Sequence, residues 1–319
     1  MMQPILIGIG AGFAAALLCL APISGSALAF PLFVLAGLPV AIAGLGWGIV
    51  AGLSAVATGA VVVAVMIPGV IAATVFVALF AAPIAWLTRL AGMSRTVDRD
   101  DPASVVEWYP LGRLLLHIAL AVAVSLVVIG FVIGYDPALV AREATSALLD
   151  FMADAPATEP APTADSIAPF VDLYVAILPF TLAMFMVAVL TFNLWLGALT
   201  TRASGRMARP AERLWTVVPP NELLIGFAVA AVLAFLLPGA LGQTAAVVAG
   251  AFGCALALVG LAVLHALTLG MTGRGIVLGV SYALIFLSGL PLFLFAALGA
   301  AENFLQLRAR RFAGAPPTT

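Results

Sequence analysis

The chain of 319 residues has no lysine, two cysteines and only 8% charged side chains. Each scarcity excludes something. With all 13 basic residues arginine and a formal net charge of −1, there is no reason to expect a nucleic-acid partner. The arginine-only usage fits a GC-rich bacterial genome. Cys19 and Cys254 lie inside apolar runs without CxxC spacing, which argues against a structural disulfide or a zinc site. No Walker sequence, HExxH, GxSxG, acidic pair or Cys/His cluster occurs, so the reading is of a non-enzyme with no cofactor and no metal. The first 88 residues contain no charged side chain at all.

What fills the chain is apolar: 64% hydrophobic residues and a mean hydropathy of +1.23. A soluble domain cannot hide that much apolar surface, so the expected partner is the lipid bilayer. A crossing needs about 20 mainly apolar residues. Breakers divide the sequence into spans near 5–22, 26–44, 47–66, 69–90, 111–134, 168–198, 222–238, 242–268 and 275–304. Pro22–Gly25, Gly44–Gly48 and Pro68–Gly69 are the early turns. The fold class is all-α: a polytopic transmembrane helix bundle of eight or nine segments, residues 1–319 forming a single integral membrane domain. "SGLP" (Ser288–Pro291) makes the last segment broken or re-entrant, tolerable where protein covers the break. "GSALA" (Gly25–Ala29) resembles a signal-peptide cleavage site, but no basic residue precedes the apolar run, which reads as a first membrane helix.

Arginine gives the orientation. Segments 89–113 and 202–213 carry four arginines each, whereas loop 136–167 holds Arg142 against six acids. Positive-inside logic makes the Arg-rich loops cytoplasmic and the acidic loop periplasmic in a bacterial inner membrane. In that loop, Asp136-Pro137 reads as an N-cap followed by proline at the first helical position. Val140, Ala144, Leu148 and Phe151 recur at helical spacing, giving an amphipathic helix over 137–152. The acidic, Pro-rich stretch 153–166 reads as a flexible linker. On the other side, Asp101-Pro102 and Pro210 are each expected to start a short helix, ending at Trp108-Tyr109 and Leu214-Trp215. The tail, with Arg308, Arg310 and Arg311, is placed in the cytoplasm if the last segment turns back.

Polar groups inside spans are candidates by default, because lipid makes them costly. His117, Asn193 and His265 all fall in the cytoplasmic third and are candidates for one polar network. The simpler reading is neutral imidazoles bonded to neighbouring helices, with Arg113 snorkelling to the interface. In the outer third stand Tyr135, Asp172, Tyr174 and Gln243, an aromatic–acid–amide group suited to a small polar ligand. Asp172 with Tyr135 is the preferred pair, since Asp172 and Tyr174 lie about 200° apart on a helix. The ladder Gly44, Gly48, Gly52 permits close helix contact.

Several stretches together are worth naming: "LFVLAGLPVAIAGLGWGIVAGLSA" (Leu32–Ala55), "EWYPLGRLLL" (Glu107–Leu116), "FNLWLGALTTR" (Phe192–Arg202), "RLWTVVPPNELL" (Arg213–Leu224) and "LGAAENFLQLRARR" (Leu298–Arg311). They resemble the YybS-like family of bacterial polytopic membrane proteins, a domain of unknown function. Gln306 stands where that pattern has an acid. The amino-terminal half is remotely similar to the substrate-binding components of energy-coupling-factor vitamin transporters. That likeness implies an outward-opening ligand site and partner subunits, and it transfers no residue. Two readings follow: a small-molecule-binding, transporter-component-like protein, or a membrane scaffold for envelope or cell-shape proteins.

The orientation is checked by single cysteines in a background lacking Cys19 and Cys254. A cysteine at position 160 should label in intact cells and one at position 207 only after permeabilisation; the reverse pattern would sink the topology.

Overall fold

A computed structural model describes residues 2–97, 105–153, 163–213 and 217–313. Seven of its helical segments are long and apolar enough to cross a membrane, so the chain is an all-α, multi-pass membrane bundle. The first span, α1 (Met2–Leu20), runs parallel to α4 (Ile49–Met66). Gly8 faces Ala51 and Ser54, and Gly12 faces Ala55 and Thr58, leaving no room for a Cβ at either glycine. Lipid tails are as apolar as leucine, so such small-residue contacts, rather than the hydrophobic effect, bring helices together.

Between them the chain returns through α2 (Ala29–Val34) and α3 (Leu38–Trp47). Gly48, at φ 82°, then turns it into α4. The early turn therefore sits at Gly48 alone. Gly44 is inside α3, and its missing Cβ makes room for the Thr88 hydroxyl; Gly52 faces Ala85. The fourth span comprises α5 (Val70–Phe76), a π-helical turn (Val77–Ala81) and α6 (Ala82–Ala91). Pro83 lacks the N–H that would complete the α ladder there, a local cause for the wider turn.

After α6 the end of the expected short helix, at Trp108-Tyr109, is not helical, and its expected start, Asp101-Pro102, lies outside the described residues. Residues Ser94–Val97 (β1) and Val105–Trp108 (β2) form an antiparallel hairpin, with Arg95 opposite Glu107 and bonded to it at 2.8 Å. Val105, Val106, Thr96 and Val97 are β-branched, which favours the pleat. Residues 210–213 are likewise not helical, because the Arg209 guanidinium ties that segment down as described below; the expected end of that helix, Leu214-Trp215, lies outside the described residues.

Next come α7 (Leu111–Ile133), α8 (Pro137–Ala153) and α9 (Ala164–Ala203). Asp136 caps α8, its Oδ1 accepting from Ala138 N at 2.9 Å. The face of α8 that carries Val140, Ala144 and Leu148 is half-buried, while Phe151 is exposed. Thr163 and Ser166 make a reciprocal capping box, so α9 begins inside the stretch read as a linker; residues 154–162 of that stretch lie outside the described residues. At 40 residues, α9 is about 60 Å long and projects well beyond a bilayer core of about 30 Å.

At its far end the chain re-enters as an extended segment, Val217–Pro220, before α10 (Asn221–Leu236) begins. Val217 and Pro219 are buried. Non-helical backbone is tolerated at such depth only when protein satisfies it. The two prolines have no donor to satisfy, and the Val217 carbonyl accepts from Arg308 at 2.6 Å. The Val218 carbonyl lies against Gly112, where any side chain would overlap it.

The central helix is α11 (Gly239–Leu267), buried along most of its length and packed on by α7, α9, α10 and α13. Its run of Gly and Ala allows this. Gly250 meets the Phe180 backbone and Gly260 that of Phe295. The last apolar run divides into α12 (Arg274–Ser288) and α13 (Pro291–Leu305), with Gly289 in the left-handed region at φ 68°. Gly260 and Gly299 approach each other symmetrically, one turn past Leu256 and Phe295. That relation makes α13 parallel to α11, so the pair α12–α13 enters and leaves at one end. The tail helix α14 (Leu307–Ala313) accordingly returns to the end of α11, where Arg311 donates to the Leu269 carbonyl at 3.2 Å.

Glu302 fixes that return. It accepts from Leu307 N at 2.9 Å and from Arg308 Nε at 2.8 Å, and both side chains are at most 10% exposed. Removing one member of a buried pair strands the other charge, at about 3–5 kcal/mol. Arg308→Ala should lower unfolding stability in detergent by that amount, and the double variant Glu302→Gln/Arg308→Ala by less. Equal losses would show that the pair is not a unit.

Candidate functional site

The two ends of the bundle differ. The helix order places Arg89, Arg95, Arg113, Arg202, Arg206, Arg209, Arg213, Arg274 and the tail arginines at one end, and Arg142 with the acids of α8 and α9 at the other. At the arginine-rich end Arg209 is 5% exposed and joins three segments. It donates to the carbonyls of Ala91 (3.2 Å) and Tyr109 (2.8 Å) and pairs with Glu212 (2.5 Å).

At the opposite end the helices leave a crevice of about 180 Å³ between α7, α9 and α11. Gly134, at φ 64°, ends α7 and folds the chain back, so Tyr135 N donates to the Gly130 carbonyl at 2.8 Å. Tyr135 thereby lies against the last turn of its own helix. Pro179 withholds a helical N–H from α9 at the same level. From α11, Gln243 and Thr244 face the crevice. The walls are otherwise apolar: Leu126, Ile129, Phe131, Leu178, Leu182 and Val247 among them. The Thr244 hydroxyl is engaged with the Ala240 carbonyl at 2.8 Å, whereas Tyr135 Oη is buried and has no hydrogen-bond partner among the described residues. Burial, and secondarily Tyr174, push the Tyr135 phenol above its ordinary pKa, so it stays a neutral donor.

Of the four outer residues read from the sequence, Tyr135 and Gln243 therefore share a wall-to-wall space. Asp172 lies elsewhere, in a shallow depression between α8 and α9 with Arg142, Thr145 and Ser146. Tyr174 is half exposed.

The three inner residues occupy three separate settings, and no hydrogen bond among the described residues joins any two of them. His117 Nδ1 lies 2.8 Å from the Arg113 carbonyl and 3.3 Å from Tyr109 Oη; a carbonyl only accepts, so Nδ1 carries the proton. His265 Nε2 is 2.9 Å from Tyr282 Oη, a link between α11 and α12. Asn193 is fully buried, and its Nδ2 donates to Val34 O (2.7 Å) and Val189 O (2.8 Å). Its Oδ1 has no hydrogen-bond partner among the described residues and packs on Gly37. Asn193 lies about 15 Å along α9 from its end at Ala203. Its task there is to satisfy the last carbonyl of α2 at the α2–α3 break. "AGLP" (Ala36–Pro39) was the available signal for that break. Among the described residues no group of His, Cys, Asp and Glu gathers that could hold a metal ion.

Comparison of the chain with protein-family models, with curated proteins and with solved structures returns no match.

Asn193→Ala leaves the Val34 carbonyl buried without a donor. It should cost about 1–3 kcal/mol of stability, while His117→Gln, at a half-buried position, should cost less than about 1 kcal/mol. Thermal unfolding in detergent compares the two.

Proposed function

We propose that the protein is a non-catalytic binding component of a bacterial inner membrane, holding a small molecule in the crevice at its acidic-loop end and working with partner subunits. The observation that carries this reading is the Tyr135 hydroxyl, a buried donor without a partner among the described residues, in a largely apolar space. Such a group costs about 1–3 kcal/mol when unmet, a cost that a ligand acceptor would offset. The space suits a ring or short branched chain, since apolar cavities of about 150 Å³ accept benzene. Its occupant is thus largely apolar with one acceptor near Tyr135 and one polar group toward Gln243. Positive-inside logic puts this crevice on the periplasmic side, in keeping with the likeness to vitamin-transporter binding components, and membership of the YybS-like family belongs to the same proposal. The alternative, a scaffold for envelope or cell-shape proteins, draws on α12, none of whose residues is buried. Co-purification separates them: an ATPase with a coupling membrane subunit favours the first, envelope-synthesis proteins the second.

Tyr135→Phe keeps the ring and removes the donor. Without ligand, this variant should gain about 1 kcal/mol of stability. Screened by thermal shift against a vitamin and metabolite panel, it should lose the stabilisation that the parent shows. A compound that stabilises the parent and Tyr135→Phe alike, while Asp172→Asn abolishes its effect, would move the site to the α8–α9 depression.

A further inference from the structure

The arginines at the arginine-rich end differ in their partners. Arg95, Arg209 and Arg308 each have a carboxylate: Glu107, Glu212 and Glu302. Arg202 and Arg206 have none among the described residues; Arg206 lies over the Trp47 ring, and Arg202 stands in the last turn of α9, next to the Thr201 that faces Gly46. Gly46 lets the end of α3 approach the end of α9, so that a Cβ there would lie 3.3 Å from Thr201 Cγ2 and 3.9 Å from Arg206 Cβ. Beyond α9, Gly205 at φ 69° turns the chain back, and Arg206 N donates to the Thr201 carbonyl at 3.1 Å. This brings the Arg206 guanidinium 4.6 Å from the centroid of the Trp47 ring.

The local hydrogen bonding is one-sided. Among the described residues neither the buried Trp47 indole Nε1 nor the buried Arg202 Nε has a hydrogen-bond partner. Arg202 Nη2 has only the Met207 sulfur, at 3.6 Å, a weak acceptor. Every unmet group at this point is a donor, and two of the side chains are cations. A buried charge or donor persists only when something answers it, and the complement of several donors and two positive charges is an anion rich in acceptor oxygens. Phosphate fits in charge and in geometry, since arginine presents a planar fork to it.

We infer that Arg202, Arg206 and the Trp47 indole form a binding site for a phosphate oxyanion at the cytoplasmic interface. Its two sources, a phospholipid headgroup and free phosphate, share this chemistry. The site is separate from the crevice and does not depend on the function proposed for it.

The test uses the full chain in nanodiscs of phosphatidylcholine, with and without phosphatidylglycerol, and a third arm with inorganic phosphate in phosphatidylcholine alone. Lipid retained by the protein is read by native mass spectrometry, and stability by thermal unfolding. The parent should retain phosphatidylglycerol in preference to phosphatidylcholine. Trp47→Phe, which keeps a ring beneath Arg206 and removes the N–H, and Arg206→Gln should each weaken that retention by roughly tenfold, the worth of one hydrogen bond to a charged group. Arg310→Gln removes an equal charge from the tail and should change it little. Protection by inorganic phosphate with no lipid preference, lost in the same two variants, would assign the site to free phosphate. The inference is overturned if all three variants bind as the parent does, or if Arg310→Gln matches Arg206→Gln, which would mean diffuse charge. Equal stabilisation by Trp47→Phe in every arm would also overturn it, because the indole N–H would then be only an unmet donor. Should Arg206→Gln fail to fold, Trp47→Phe against Arg310→Gln still decides.

Discussion

Lipid offers no hydrogen bond to a peptide group, and every irregularity in this bundle is arranged around that fact. Three interruptions lie at depth. At the α2–α3 break, Asn193 donates to the stranded Val34 carbonyl. At Val217–Pro220 the prolines bring no donors, and Arg308 takes the Val217 carbonyl. At Gly289 the left-handed residue turns its N–H back to the Ile285 carbonyl. In the first two, the group that closes the break comes from a segment remote in sequence: 159 residues away for Asn193 and 91 for Arg308. The breaks therefore exist only in the assembled protein, and assembly order is constrained accordingly.

The same dependence explains why the few charges are where they are. A buried ion pair adds little stability over an apolar substitute, because desolvation offsets the attraction. What Arg209 and Arg308 supply is position. Arg209 ties α6, the start of α7 and the segment after α9 into one unit through two carbonyls and Glu212. Arg308 with Glu302 fixes the tail against Val217. The arginines are concentrated at this end, and the fold uses some of them as main-chain partners.

Much of this was legible in sequence, and the failures have physical reasons. Hydropathy and breakers located the spans to within a few residues, since lipid imposes length directly. "SGLP" located the α12–α13 break because glycine permits positive φ and proline cannot continue a ladder. The pairing of Ser94–Val97 with Val105–Trp108 was not legible, because pairing between strands leaves no local signature at four residues each. The span expected to end near residue 198 continues as helix through polar Thr200, Thr201 and Arg202 to Ala203. Within the outer group, Tyr135 and Gln243 meet across α7 and α11, while Asp172 lies on the α8 side of α9. Hydropathy gives depth and not the rotation of a helix about its axis, so residues at one level could not be sorted by face.

The contrast between the ends bears on where this protein can change shape. At the arginine-rich end, separate spans are cross-linked by charged hydrogen bonds to main-chain atoms and by the Trp47–Arg206 contact. Moving one span there would strand a buried guanidinium. At the other end the polar links are local: Gly134 turns Tyr135 onto its own helix, Thr244 bonds within α11, and Asp136 caps its own α8. The walls of the crevice meet through apolar side chains, whose contacts are individually weak and non-directional. Separating α7 from α11 by a small amount would cost packing and would strand no charge. An opening that admits a molecule is therefore least costly at the crevice, with the arginine-rich end acting as the fixed base from which the helices lean.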